Sequence, residues 1–179
     1  MGDLLLESFP GLASMPNWHP LLVHFPIALL TCYLLLDVAG AALRNAAWRR
    51  MAGGLLYLGT CFAAVAVVLG VQAAQSVSHG GDVHGIMLSH GKHGLVVLGM
   101  ALLLSLWRRF QGERWSMVGT TLHLALAGVM VLVMAHGADL GGLMVYGHGV
   151  GVHGVAVPPH DHDHDHAHEH DDGAEDHHH

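Results

Sequence analysis

Apolar residues lie along this chain in long runs rather than in the alternating stripes of a soluble fold. Leu21–Leu43 is broken chiefly by His24, Pro26 and Asp37, Met51–Ala74 carries no charge at all, and Trp115–Ala135 is broken by His123. A bilayer core takes roughly 20 apolar residues at a rise of about 1.5 Å each, so each of these runs predicts a membrane span. A fourth run, Gly94–Trp107, is too short alone. It becomes a span only if its helix starts near Ile86 and admits His90, Lys92 and His93.

The arginines decide that case. Arg44, Arg49 and Arg50 separate the first two runs, and Arg108, Arg109 and Arg114 separate the last two. Basic loops stay on the cytoplasmic side, and both loops can do so only if the third run crosses completely. The expectation is therefore an all-α fold: a four-transmembrane-helix bundle with both termini outside. Trp18, Trp48, Trp107 and Trp115 fall at the span ends, where interfacial aromatics belong. The chain divides into an outer N-terminal segment (1–17), the transmembrane domain (18–136), a Gly-rich outer segment (137–159) and a His/Asp-rich tail (160–179). The glycine density of 137–159 predicts irregular, partly extended backbone. The tail, nearly free of apolar residues, is expected to be disordered.

Composition agrees with a membrane protein. Hydrophobic residues make up 52% of the chain and charged residues 12%, against roughly a quarter charged in soluble domains. The net charge of −7 is concentrated in the tail, and no basic patch exists that would suit nucleic acid. Cys32 and Cys61 form no CxxC or CxxCH motif and read as small buried hydrophobes. The first sixteen residues have no basic, apolar leader pattern, so insertion is expected to depend on the spans themselves.

Histidine is the unusual residue, 19 in all. His19 and His24 open the first span on the outer side, His79 and His84 lie in the outer loop, and His90 and His93 open the third span. His136 closes the fourth, followed by His148 and His153. Only His123 falls near the inner side. His24, His93 and His136 lie at similar shallow depth on three helices, which suggests one shared cofactor site. Imidazole suits Zn, Ni, Co and Cu, and paired imidazoles from facing helices suit haem b. His19 and His90 are further metal-ligand candidates. So are His160, His162, His164, His166, His168 and His170, whose alternation with carboxylates chelates divalent ions without fixed geometry. His123 and His136 lie about 220° apart around their helix, so a second centre on the inner side finds no partner. The alternative for each histidine is a wetted interfacial residue. Asp37 and His123 lie at similar depth from the inner side and are expected to pair, with Tyr33 and Thr120 as further partners, because intramembrane ionisable groups face one another.

"HPLLVHFPIALL" at the start of span one, Asp37 near its inner end, and "GADLGGLMVYGHGVGV" after span four together resemble the domain of unknown function 2231 family of bacterial membrane proteins. The matching positions are His19, Pro20, His24, Pro26 and Asp37, then Gly141, Gly142, Val145, Tyr146, Gly149, Val150 and Gly151. The resemblance implies a four-helix membrane unit and, with both termini outside, a bacterial inner-membrane protein whose termini are periplasmic. Some relatives are joined to c-type cytochrome domains, which implies a redox partner of that kind. The His/Asp tail is not part of the family pattern.

Three readings follow. One is a haem b, or copper, redox module near the periplasmic face. Another is a transition-metal binding protein assisting transport or homeostasis, and the third is a non-catalytic structural subunit. No nucleophile–base arrangement supports hydrolytic catalysis. Gly53, Gly54, Gly59, Gly99 and Gly128 permit close helix approach within the chain or between copies in a homo-oligomer.

Overall fold

The computed structural model describes residues 8–13, 15, 17–76, 81–111 and 116–152. Four long helices dominate: α1 (His24–Ala42), α2 (Ala46–Ser76), α3 (Gly81–Gln111) and α4 (Met117–Gly142). All four are long and apolar enough to cross a membrane, and no strand occurs among the described residues. A one-turn helix, His19–Leu22, leads into α1. Pro20 and Pro26 both fall in first turns, where the missing N–H has no partner to lose.

Neighbours in sequence are neighbours in space. Helix α1 packs on α2, α2 on α3, α3 on α4 and α4 back on α1. Successive helices therefore run antiparallel around a square, and the described chain enters and leaves at one end. That end carries most of the histidines and the other most of the arginines; they are called here the histidine end and the arginine end.

Leu30, Tyr33, Leu56, Val97, Leu104, Ala127 and Met130 form the core. Leu35, Val38, Leu58, Val65, Leu102, Leu103, Val129 and Leu132 point outward. An apolar exterior around an equally apolar interior is expected where the solvent is lipid. Small residues then decide how near the helices come. A Cβ on Gly59 would lie 2.8 Å from Leu30 Cδ2, so that glycine sets the α1–α2 approach. Gly54, Gly99 and Gly128 face open space instead. Cys32 and Cys61 also lie on exposed faces rather than buried. In lipid a thiol needs no protein core to be shielded from water.

The α1–α2 turn has a clear cause. Arg44 takes φ 50°, the N–H of Arg44 donates to Ala41 O, and that of Asn45 donates to Gly40 O. This pair of bonds is a Schellman closure. Asn45 Oδ1 then accepts from the backbone N–H of Ala47 at 3.0 Å and Trp48 at 3.3 Å, capping α2. At the start of α4, Ser116 caps in the same way by accepting from Gly119 N–H.

Two further expectations need correction. The third span is a full helix from Gly81, well ahead of Ile86. The fourth does not stop at His136. It continues through Gly142 into a π-helical turn, Leu143–Gly147, so the first part of the Gly-rich segment is helical. Backbone groups near a membrane must be satisfied internally, and that requirement outweighs the penalty of about 1 kcal/mol per helical glycine. The chain leaves helix where Gly149 and Gly151 take φ 65° and 76°. The tail from 160 onward lies outside the described residues.

Candidate functional site

Polar side chains collect in two layers separated by the apolar belt of Leu30, Val97, Ala127 and Met130.

At the arginine end, Asp37 is fully buried on α1. Its carboxylate accepts from both guanidinium nitrogens of Arg108 on α3, at 3.0 and 3.2 Å, and from Arg49 Nε on α2 at 3.2 Å. Arg108 also donates to the backbone carbonyl of Arg49. Arg49 reaches Thr120 on α4 at 3.4 Å. One carboxylate thus ties all four helices together. Two glycines admit the guanidinium stems: a Cβ on Gly53 would lie 2.8 Å from Arg108 Nε, and one on Gly40 would lie 2.8 Å from Arg49 Cγ.

One turn further into the membrane, Tyr33 OH and His123 Nε2 share a 2.7 Å hydrogen bond, both residues fully buried. The Trp107 ring stands edge-on to His123, with centroids 5.6 Å apart, and its N–H donates to Gln111. Asp37 and His123, expected as a pair, occupy this same layer. The carboxylate is engaged by the two arginines, and the imidazole by Tyr33. Tyr33 and Asp37 are four apart on α1, and Thr120 and His123 three apart on α4, so each pair shares one helix face.

The histidine end is built differently. His19 Nδ1 donates to Ala66 O on α2 at 2.9 Å, His90 Nδ1 to Gly137 O on α4 at 2.8 Å, and His93 Nδ1 to Ser89 O at 2.8 Å. A carbonyl can only accept, so the neutral form of each ring carries its proton on Nδ1 and its lone pair on Nε2. Small residues make room for the rings. A Cβ on Gly70 would touch His19, one on Gly141 would touch His90, and one on Gly137 would meet His93 Cβ at 3.1 Å.

The rings form two pairs. His19 and His90 have centroids 6.0 Å apart, and His93 and His136 have centroids 4.9 Å apart at an interplanar angle of 66°. Of the expected trio, His93 and His136 are brought together. His24 is exposed, with Nδ1 at 3.4 Å from Leu21 O in its own chain entry. His84 is exposed and His148 half-buried. His79, His153, His160, His162, His164, His166, His168 and His170 lie outside the described residues. No group of three His, Cys, Asp or Glu gathers for a metal ion among the described residues.

Metal–imidazole bonds of roughly 2 Å put two rings sharing one tetrahedral ion about 5 Å apart between centroids. The His93–His136 separation matches that. Haem between trans imidazoles would need a porphyrin plane between the rings. Here the rings meet each other, and those of His19 and His90 are packed against Gly70 and Gly141. Haem does not fit these pairs as they stand.

A family model described as a predicted membrane protein, DUF2231, matches residues 16–154. The chain belongs to this family. The DUF2231 match begins just before His19 and ends just after Val152, so it takes in both polar layers and excludes the tail. No match was found among curated proteins or among solved structures.

Proposed function

We propose that this DUF2231 protein is a multi-pass inner-membrane protein that binds a transition-metal ion at its histidine end, on the periplasmic face. The orientation rests on the arginine-rich turns, which belong on the cytoplasmic side. The metal reading rests on one observation above all. Three imidazoles donate Nδ1–H to backbone carbonyls and so keep Nε2 for a ligand. Metal-binding histidines are oriented by such bonds, which fix the tautomer and raise ligand basicity. His93 and His136 form the primary pair, with His19 and His90 beside them. Zn, Co, Ni and Cu all suit imidazole. Copper would also preserve a redox role toward a c-type cytochrome. The apolar belt between the layers argues for binding at one face rather than passage through the bundle.

The test uses the full-length chain with every histidine from 160 onward replaced by asparagine, purified in detergent and titrated with Co(II). Binding of one ion per chain, weakened at least tenfold by His136→Ala, is expected. Affinity indistinguishable from that of a chain also lacking His19, His90, His93 and His136 would overturn the proposal.

A further inference from the structure

We infer that His19 and His90 hold a copper(I) ion of their own at the mouth of the bundle, completed by the thioethers of Met87 and Met144. The inference rests on the metal reading of the histidine end and names a second site there, with its ion and its sulfur ligands.

The two rings are docked alike. His19 Nδ1–H donates to Ala66 O, and its Cε1 lies 3.0 Å from where a Cβ on Gly70 would stand. His90 Nδ1–H donates to Gly137 O, and its Cε1 lies 3.3 Å from a Cβ placed on Gly141. Each imidazole thus sits over a glycine and is held by the carbonyl four residues before it, one on α2 and the other on α4. From these opposite helices the rings meet nearly at right angles, with centroids 6.0 Å apart. Both Nδ1 protons are committed, so each ring offers the lone pair of Nε2.

That separation distinguishes the pair from its neighbour. With metal–nitrogen bonds of roughly 2 Å, two rings bound at a tetrahedral angle stand about 5 Å apart, and two rings on opposite sides of an ion about 6 Å apart. His93 and His136 have the first spacing, and His19 and His90 the second. A wide nitrogen–metal–nitrogen angle is foreign to tetrahedral Zn(II). It is natural for copper(I), which accepts low coordination.

The register of α3 against α4 supplies sulfur. His93 meets Gly137 and His90 meets Gly141, so the next step outward along both helices brings Met87 level with Met144. Met87 lies three residues from His90, and Met144 three from Gly141, which puts each methionine on the same helix face as the contact below it. Both are half-buried, and α3 packs against the π turn that carries Met144. Helical side chains lean toward the N-terminus of their helix, which for Met144 is toward Gly141 and His90. Met87 is unbranched and flexible enough to follow. Thioethers select Cu(I), while imidazole suits several metals, so copper is the ion that both kinds of ligand accept. All four ligands are also neutral, and the Born cost of holding an ion at the membrane edge grows with the square of its charge. A monovalent ion is favoured on that ground too.

The experiment takes the full-length chain with every histidine from 160 onward replaced by asparagine. It is titrated anaerobically with Cu(I) against a coloured Cu(I) chelator, and in parallel with Co(II). Met87→Leu/Met144→Leu conserves side-chain volume and keeps the fold. It should weaken Cu(I) binding about tenfold or more, remove the sulfur neighbours seen by copper X-ray absorption, and leave Co(II) affinity unchanged. His90→Ala should weaken Cu(I) by at least as much, while His136→Ala weakens Co(II) and spares Cu(I). Unchanged Cu(I) affinity in the methionine variant, or a copper spectrum with nitrogen neighbours alone, would overturn the thioether site and leave the Co(II) reading standing. Equal losses of both ions in His136→Ala would merge the two sites into one and refute a separate copper centre. If Co(II) binding ignores His136 while Cu(I) is still lost in the methionine variant, the His93–His136 pair fails and the copper site stands.

Discussion

The two ends of the bundle use polar side chains in opposite ways. At the arginine end, side chains bond to side chains. Asp37, Arg49, Arg108 and Thr120 form one network, and Tyr33 and His123 close on each other within the same buried layer. At the histidine end, imidazoles bond to backbone carbonyls through one nitrogen and present the other. Charge placed inside a membrane bundle is costly unless paired, so the first arrangement holds helices in register. The second holds imidazole rings in orientation. Polar residues in a membrane therefore cannot be assigned a role by depth alone. What their first hydrogen bond leaves over is the better guide.

The largest way to break this contrast is at Asp37. Asp37→Asn removes the buried carboxylate that pairs with both Arg49 and Arg108, and breaking a buried ion pair by removing one partner costs about 3–5 kcal/mol. Thermal unfolding in detergent should show that loss, with Co(II) affinity of the folded protein unchanged. Unaltered stability would refute the view that this layer binds the helices together. Replacing all three charged residues, as in Asp37→Leu/Arg49→Met/Arg108→Met, should recover much of the loss, since well-packed apolar groups often do as well as a buried ion pair.

His136→Ala is the complementary variant. Ion affinity should fall by about 10- to 100-fold, the range seen when metal-site partners are removed. The side chain is exposed, so unfolding should move by no more than about 0.5 kcal/mol. A large stability loss without an affinity change would reverse the roles assigned to the two ends. Tyr33→Phe should cost less than Asp37→Asn, about 1–2 kcal/mol, because it removes one neutral hydrogen bond and leaves the buried imidazole short of it. Its unfolding midpoint should therefore fall between those of Asp37→Asn and the natural chain.

The architecture was legible in the sequence because lipid imposes one requirement on every residue of a span, and run length with arginine placement reports it. The third span was legible only through charge: by apolar length alone Gly94–Trp107 is too short, and the arginines on each side required a crossing. The Gly-rich segment misled for a specific reason. Glycine density normally argues against helix, yet Gly137 and Gly141 are the positions against which His93 and His90 pack. Glycine there serves the neighbouring helix, which no single-strand pattern can reveal. Asp37 signals a buried partner, but in the sequence Arg49 and Arg108 read as topology markers. Their nearness to Asp37 depends on the Schellman turn at Arg44 and on Gly40 and Gly53, which are features of packing rather than of periodicity. His19 and His90 were visible as ligand candidates, whereas their closeness to each other depends on which face each helix turns inward.

Glycine gives the finest test of the contrast, with the smallest effect. A Cβ at Gly137 would lie 3.1 Å from His93 Cβ, a separation tight enough that one helix must yield by a few tenths of an ångström. His93 would move with its helix and shift relative to His136, while the better helix propensity of alanine, about 1 kcal/mol, offsets part of the strain. Gly137→Ala should therefore leave the unfolding midpoint within about 0.5 kcal/mol of the natural chain and still weaken Co(II) binding several-fold. Gly54, facing open space on α2, provides the control. Gly54→Ala should alter neither the affinity nor the ligand geometry, so an equal affinity loss in both variants would trace the effect to general helix stiffening instead of to the placement of His93.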